Sequence, residues 1–472
     1  MSSSRFSRAL RSFLRLFTDV RSGEEASALL MLVNVFLVLC AYYLIKPMRE
    51  GWISVSPVAG LSKVEVKAYT SFGQVLLLIP VVWAYSRLST RWTRGELITR
   101  ATLFCMLNML FFWAIQPGIF LENLPFSGIA FYLWVGMFGV FVVAQFWSFA
   151  ADIYSDERGK RMLPMIAIGA TAGAAFGSEI TGWLLDTGFL DTESLLLLAM
   201  VPLFFSIVLT RIVDRREGQE PREVPVVPPA KEPADATPEV DGDDRASGLS
   251  IVFSSRFLLA VAAVTLLVNW VNTNGENLLF WVVQDFLHAE AQADGLTNPE
   301  ALLLFTRDGT TAFYADFYAI VNWVALILQA FVASRLLKYG GFGAILLILP
   351  VVALLSYSAM ALIPLLWVVK TMKVAENATD YSLNNTARNV LWLPVRSDRV
   401  YKAKPTIDTL FARSGDGLAA LTVVFGVQLM ALPTVAFFVM NVGLVILLLG
   451  FSLAVVRGHR RLTQESLGNA ET

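Results

Sequence analysis

The sequence predicts an all-α membrane protein, with twelve transmembrane helices in two pseudo-repeated six-helix bundles. Three observations carry this. Of 472 residues, 56% are hydrophobic and only 16% charged, against about 25% charged in an ordinary soluble domain. About twelve apolar runs reach the roughly 20 residues a bilayer crossing needs. Lys and Arg gather in alternate connectors, as they do when those connectors share one side of a membrane.

The runs lie near 27–47, 69–88, 98–116, 127–154, 163–186 and 193–213, then 252–286, 312–337, 343–363, 364–386, 406–432 and 433–456. Gln116-Pro117-Gly118 and Gly340-Gly341 punctuate the series, and Pro364 divides the continuous 343–386 stretch in two. Ahead of the first run, residues 1–26 set Phe6, Leu10, Phe13 and Phe17 among Arg5, Arg8, Arg11, Arg15 and Arg21. This reads as an amphipathic helix on an anionic leaflet, the alternative being an unstructured basic tail. The first run lacks an Ala-x-Ala cleavage pattern and ends in Lys46, Arg49 and Glu50, so it is expected to stay as a helix. Residues 214–250 mix Pro221, Pro228, Pro229, Pro233 and Pro238 with many charges, as a flexible linker does. That gives bundles at 27–213 and 251–456 and a tail at 457–472.

Basic residues fall in the N-terminal segment and in the second connector (Arg87, Arg91, Arg94). They recur in the fourth (Arg158, Lys160, Arg161), eighth (Arg335, Lys338) and tenth (Arg396, Arg399, Lys402, Lys404), and in the tail (Arg457, Arg460, Arg461). The other connectors carry mainly Lys63, Lys67 and Arg307. Both termini are therefore expected in the cytoplasm, and a bacterial inner membrane is the expected location.

Several function classes are disfavoured. Lys plus Arg is 37 and Asp plus Glu 38, which leaves no basic excess for nucleic acid. Cys40 and Cys105 sit in apolar runs, and His288 and His459 are far apart. Neither a disulfide scaffold, a metal centre nor a cofactor site is expected. No phosphate-binding loop, His-based metal motif or large soluble domain is present, so neither ATP-driven pumping nor a membrane enzyme such as a lipid-modifying transferase is expected.

The ionisable residues inside the runs are the functional signal, because lipid penalises them. Lys46, Arg49 and Glu50 end the first helix; Glu276 sits among asparagines on the seventh; Asp316 is on the eighth. Lys370, Lys373, Glu376 and Asp380 recur at helical spacing on the tenth, and Asp408, Arg413 and Asp416 lie on the eleventh. Singly, each has a plain reading as a snorkelling or locally paired side chain. Together they point to a polar path between the bundles, with substrate ligands expected at Lys46, Arg49, Glu276, Lys370 and Lys373. Gating or coupling roles are expected at Asp152, Asp316, Asp380, Asp408 and Arg413. In particular, Asp152, Arg158, Lys160 and Arg161 mirror Asp408, Arg396, Arg399 and Lys404 across the halves, as an inter-half charge cluster closing one gate would. Gly169, Gly173 and Gly177 place a bare stripe on the fifth helix, either a sliding surface or a static close contact.

Three strings in order give a family resemblance: Tyr43-Leu44-Ile45-Lys46-Pro47-Met48-Arg49-Glu50; then Phe146-Trp147-Ser148-Phe149-Ala150-Ala151-Asp152-Ile153 with Gly159-Lys160-Arg161; then Asp380-Tyr381-Ser382-Leu383, Leu393-Pro394, Lys404, Ile407-Asp408 and Ser414-Gly415. The chain thus resembles the ATP/ADP translocases, nucleotide transporters related to the major facilitator superfamily. The resemblance implies a major-facilitator-like fold working as a monomer, and exchange of ATP/ADP-type anions. It places Arg49 at a lysine and Lys46 at an arginine of the family's first helix, Glu276 at an acidic seventh-helix position, and Lys404 at the lysine opening the eleventh. These charges are implicated in nucleotide transport. The chain departs from the family where Val135, or its neighbour Trp134, replaces a fourth-helix glutamate, where Asp380 replaces a lysine, and where Arg413 replaces a lysine. The expected function is secondary-active transport of a small anion by alternating access. The alternatives are a proton-coupled transporter using Glu276 or Asp316, and a non-transporting sensor or scaffold.

Overall fold

The computed structural model describes residues 21, 24–89, 91–92, 94–115, 126–154, 156–217, 248–395 and 397–471. The basic segment at 1–20, most of the 214–250 linker, and Arg396 lie outside the described residues.

Six helices form the first half: α1 (Glu25–Ser54), α2 (Lys63–Ser89), α3 (Arg94–Ala114), α4 (Ser127–Ile153), α5 (Asp156–Asp186) and α6 (Leu195–Glu217). After a short helix at Gly248–Ser254, α7 (Arg256–Ala293) opens the second half. Its N-cap Ser255 accepts from the Leu258 N–H at 3.4 Å. The next helix, α8, starts at Pro299–Ile327, passes a π-helical turn at Leu328–Val332 and runs on to residue 340. Gly341, at φ 71°, breaks the chain there and begins α9 (341–362). The tenth helix, α10, is Leu366–Thr379, a π turn at Asp380–Asn384, then Asn385–Val390. The eleventh, α11, is Ser397–Thr406, Ile407–Phe411 (π), Ala412–Val424 and Phe425–Leu429 (π). The last, α12, is Thr434–Glu471. Pro364 sits in the α9–α10 gap, as its restriction of the preceding residue predicts.

Among the described residues, ten helical stretches are long and apolar enough to cross a bilayer. One of them, Pro299–Leu362, is the two crossings α8 and α9. The remaining crossing, α10, carries Lys370, Lys373, Glu376 and Asp380 and so is not apolar. Twelve crossings among the described residues make this an all-α, multi-pass membrane protein. They also put the start of α1 and the end of α12 on one side, here the near face; the other is the far face.

Two differences from the sequence reading have a plain cause. α7 runs to Ala293 and α8 starts at Pro299, well outside the apolar runs. The added turns carry Glu290, Glu300, Arg307 and Asp308, which hydropathy discards. At 38 residues, α7 is about 57 Å long, against a hydrocarbon core of about 30 Å.

The halves repeat one packing plan. In the first, α5 lies bare against α1: a Cβ at Gly169 would sit 2.9 Å from the Leu32 carbonyl oxygen, and one at Gly177 2.5 Å from that of Cys40. In the second, α11 meets α7 in the same way at Gly415, where a Cβ would sit 2.9 Å from the Trp270 nitrogen. The glycine stripe is thus a close contact inside one half. Buried amides repeat the plan too. Asn34 of α1 donates to Thr210 and accepts from Ser206 on α6 (2.9 and 2.5 Å). Asn274 of α7 donates to Asn441 on α12 (2.6 Å). In lipid such bonds average about 0.6 kcal/mol each. The halves meet along α2–α11 and α5–α8, with α1 also against α8 and α2 against α7.

Candidate functional site

A polar cavity of about 310 Å³ lies between the halves. Helical spacing aims Tyr42, Lys46, Arg49 and Glu50 of α1 into it. The seventh helix contributes Thr273, Glu276 and Asn277; α4, α8 and α10 contribute Tyr132, Tyr318 and Tyr381; α11 contributes Arg413 and Asp416.

The charges are not evenly compensated. Glu50, 1% exposed, takes two cations: the Arg49 guanidinium at 2.6 Å and the Lys67 ammonium at 2.9 Å. Arg49 also lies 4.4 Å over Tyr132, and Lys67 4.5 Å over Phe280. Asp416 is matched by Arg413 at 3.0 Å and bonded by Thr273 at 2.7 Å. Lys46 is 8% exposed, and no described carboxylate lies within ion-pair distance of it. Its ammonium rests on the rings of Tyr318 (3.9 Å) and Tyr43 (4.7 Å) instead. Ring faces stabilise a desolvated cation by about 2 kcal/mol and leave its hydrogens free to donate. The first-half wall of the cavity is therefore cationic in excess. The second-half wall offers Glu276, whose Oε1 accepts from Asn377 at 2.6 Å.

Behind Glu276 lies a second charged group. Lys373, fully buried, pairs with Glu376 at 2.8 Å and donates to Asn272 at 3.0 Å; Glu276 is 3.8 Å away. Tyr357 donates to Glu376 at 2.9 Å. The group fits because α7 has no side chain at Gly275, where a Cβ would lie 2.9 Å from the Lys373 ammonium.

The far face is closed. Arg307 on α8 pairs with Glu193, just before α6. Thr192 donates to Asp308 at 2.9 Å, and Lys63 to Gln284 at 3.2 Å. Gly51 of α1 comes so near α8 that a Cβ would be 2.6 Å from the Arg307 carbonyl oxygen. The near face is open. A vestibule of about 1550 Å³ separates Trp147 and Leu163 of α4 and α5 from Gln329, Ser334, Asn385 and Asn389 of α8 and α10.

The structure gathers Lys46, Arg49, Glu276 and Arg413 on the cavity. It places the other expected residues elsewhere. Lys373 is sealed behind the cavity wall. Lys370 pairs with the exposed Asp316 on the flank of α8 and α10, because their shared face turns outward. Asp380 faces the interior of its own half and accepts from Asn384 at 2.7 Å. Lys404 pairs with Asp408 at 3.3 Å, with Arg388 at 2.8 Å from the same carboxylate. Asp152 lies exposed in the last turn of α4.

Of the residues expected in an inter-half cluster on the near face, Arg158, Arg161 and Asp408 have described ion pairs within their own halves. Arg158 pairs with Glu217 at 2.8 Å and Arg161 with Glu24 at 3.0 Å, all in the first half. Asp408 pairs within the second. The Lys160 side chain and Arg396 lie outside the described residues.

Sequence reasoning missed Lys67 and the tyrosines. Lys67 reads as part of a polar connector, yet it is one turn inside α2 and 2% exposed. Tyr42, Tyr132, Tyr318 and Tyr381 sit in apolar-looking helices, where the pattern does not tell a cavity-facing tyrosine from one packed in the core. Among the described residues, no three His, Cys, Asp or Glu side chains converge as metal ligands would.

Comparison with known proteins gives the fold. No family model matches the sequence, and no curated protein matches it either. Solved structures do match. The human organic anion transporter MFSD10 aligns with a TM-score of 0.55 at 13% identity, over 92% of this chain and 100% of that one. The POT family transporter PepTSo aligns with 0.58 at 13% identity, over 92% and 98%. The nucleoside transporter NupG aligns with 0.54 at 14% identity, over 91% and 99%. The chain therefore has a major-facilitator-like fold.

Proposed function

We propose that this protein is a secondary-active transporter that carries a small organic anion by alternating access. The observation that carries the reading is Lys46: a cation in the membrane interior, held among the rings of Tyr42, Tyr43 and Tyr318 and with no ion-paired carboxylate among the described residues. Burying such a charge is costly unless a counter-ion visits it. The substrate's anionic group docks on Lys46 and Arg49, its polar part faces Glu276 and Asn277, and Tyr42, Tyr132 and Tyr318 pack against its body.

In the cycle, substrate enters through the near-face vestibule and neutralises the cationic wall. The halves then rock, parting Arg307 from Glu193 and closing the vestibule. The near face, with its basic connectors, is the cytoplasmic side of a bacterial inner membrane, and the working unit is a monomer. Residues 27–213 and 251–456 form the moving halves, joined by 214–250. The protein is not an enzyme.

ATP/ADP-type exchange is the specific form we propose. Its support is the match of Lys46, Arg49 and Glu276 to charged positions of the ATP/ADP translocases. The test is counterflow in proteoliposomes loaded with ATP plus ADP, following labelled ADP. Saturable uptake that needs internal nucleotide is the expected result. No uptake by correctly inserted protein discards the nucleotide.

Proton coupling is the second reading, and it rests on Glu276. The other cavity carboxylates, Glu50 and Asp416, have cations within 3.0 Å, whereas the cation nearest Glu276 is 3.8 Å away. An imposed pH gradient drives uptake in this case, and Glu276→Gln removes that drive while leaving counterflow.

A further inference from the structure

A second cavity lies on the outer flank of the first half, between α2, α3 and α4. It measures about 670 Å³, within the roughly 300–1,000 Å³ of sites that hold small ligands. The space exists because each wall contributes an alanine: Ala84 on α2, Ala101 on α3 and Ala130 on α4. The third helix, α3, packs on α6 through its other face, with Met109 and Phe112 buried, and barely touches α2. The remaining lining is apolar except for Arg100.

Arg100 stands one to two turns inside α3, at its near-face end. Its guanidinium lies 4.7 Å over the ring of Trp92, and no described carboxylate is within ion-pair distance of it. On α2 nearby, Arg87 lies 4.3 Å over Trp83. Tryptophan and arginine together mark headgroup depth. From there the groove runs along α4 from Phe141 to Ala130, about 16 Å at the helix rise. It is a slot of acyl-chain length with a cation at its mouth.

We propose that this groove binds one anionic phospholipid of the near-face leaflet, with an acyl chain between α2, α3 and α4 and the phosphate on Arg100. A zwitterionic lipid offers the same chain but carries a choline that Arg100 repels. The charge at the mouth, not the apolar slot, sets the selectivity. The site is separate from the central cavity and does not depend on what that cavity carries.

The test is native mass spectrometry of the full-length protein, with dioleoyl phosphatidylglycerol or dioleoyl phosphatidylcholine added at equal concentration. One phosphatidylglycerol is retained by the wild type and phosphatidylcholine is not. Arg100→Ala lowers phosphatidylglycerol occupancy about fivefold, the size expected for one basic residue at an anionic headgroup. Arg100→Lys restores most of it. Ala130→Phe, which points into the slot, abolishes retention. If Ala130→Phe does not insert, Ala101→Leu fills the same space from α3. Equal retention of both lipids by the wild type overturns the proposal, and so does unchanged binding in Arg100→Ala or in the filled variants.

Discussion

Lys46 and Lys373 show how differently two membrane lysines can be used. Lys46 rests on Tyr318 and Tyr43 and faces a cavity. Lys373 is saturated by Glu376, Asn272 and the nearby Glu276. The consequences of removing them should diverge. Lys46→Met leaves the fold intact and lowers substrate affinity roughly tenfold or more, the worth of a charge-assisted hydrogen bond; substrate binding by calorimetry and a melting curve check the two halves of this statement. Lys373→Met strands Glu376 in the interior and costs about 3–5 kcal/mol of stability, most of which Lys373→Met combined with Glu376→Gln recovers. A thermal melt of the single and double variants decides it. Both lysines were visible in the sequence as charges in apolar runs. Which of them faces a cavity was not, because that depends on a missing side chain at Gly275 and on tyrosines contributed by other helices.

Among the helices, those of the second half are the more broken. The π turns at Leu328–Val332, Asp380–Asn384, Ile407–Phe411 and Phe425–Leu429 all lie in α8, α10 and α11, and such turns recur at functional sites. No periodicity argument locates them, since each adds a single residue to an otherwise regular helix. By contrast, the breaks at Gly341 and Pro364 were legible, because those residues dictate backbone geometry directly. The first half offers a cleaner test at Gly51, where α1 presses on α8 at the far face. Gly51→Val places a side chain against the Arg307 backbone and opposes closure of that face. A cysteine at Ser71, on the central cavity, should then react faster with an impermeant maleimide added from the far side. An unchanged rate removes α1–α8 contact from the gate.

At the scale of the whole molecule, the two-bundle plan could be read from alternating basic connectors and the six-plus-six spacing, whereas its conformation could not. Which face is sealed depends on pairs such as Arg307–Glu193 and Thr192–Asp308, whose members are more than a hundred residues apart and lie in segments that read as loops. The sealed far face has an electrical consequence. With the near face flooded by the vestibule, most of the membrane voltage drops between the central cavity and the far side. When the halves rock, it drops on the other side of the same cavity. The surplus positive charge of Lys46 and of the Arg49–Glu50–Lys67 cluster therefore crosses the field without moving, at about 2.3 kcal/mol per charge per 100 mV. If the proposed transport cycle holds, the empty protein is then a voltage sensor, and a bound anion switches that sense off. Capacitive currents on a solid-supported membrane should appear without substrate, shrink in Lys46→Met and fade as substrate saturates. Currents indifferent to both would mean that the cavity carries no net charge across the field, and the voltage-sensing idea falls.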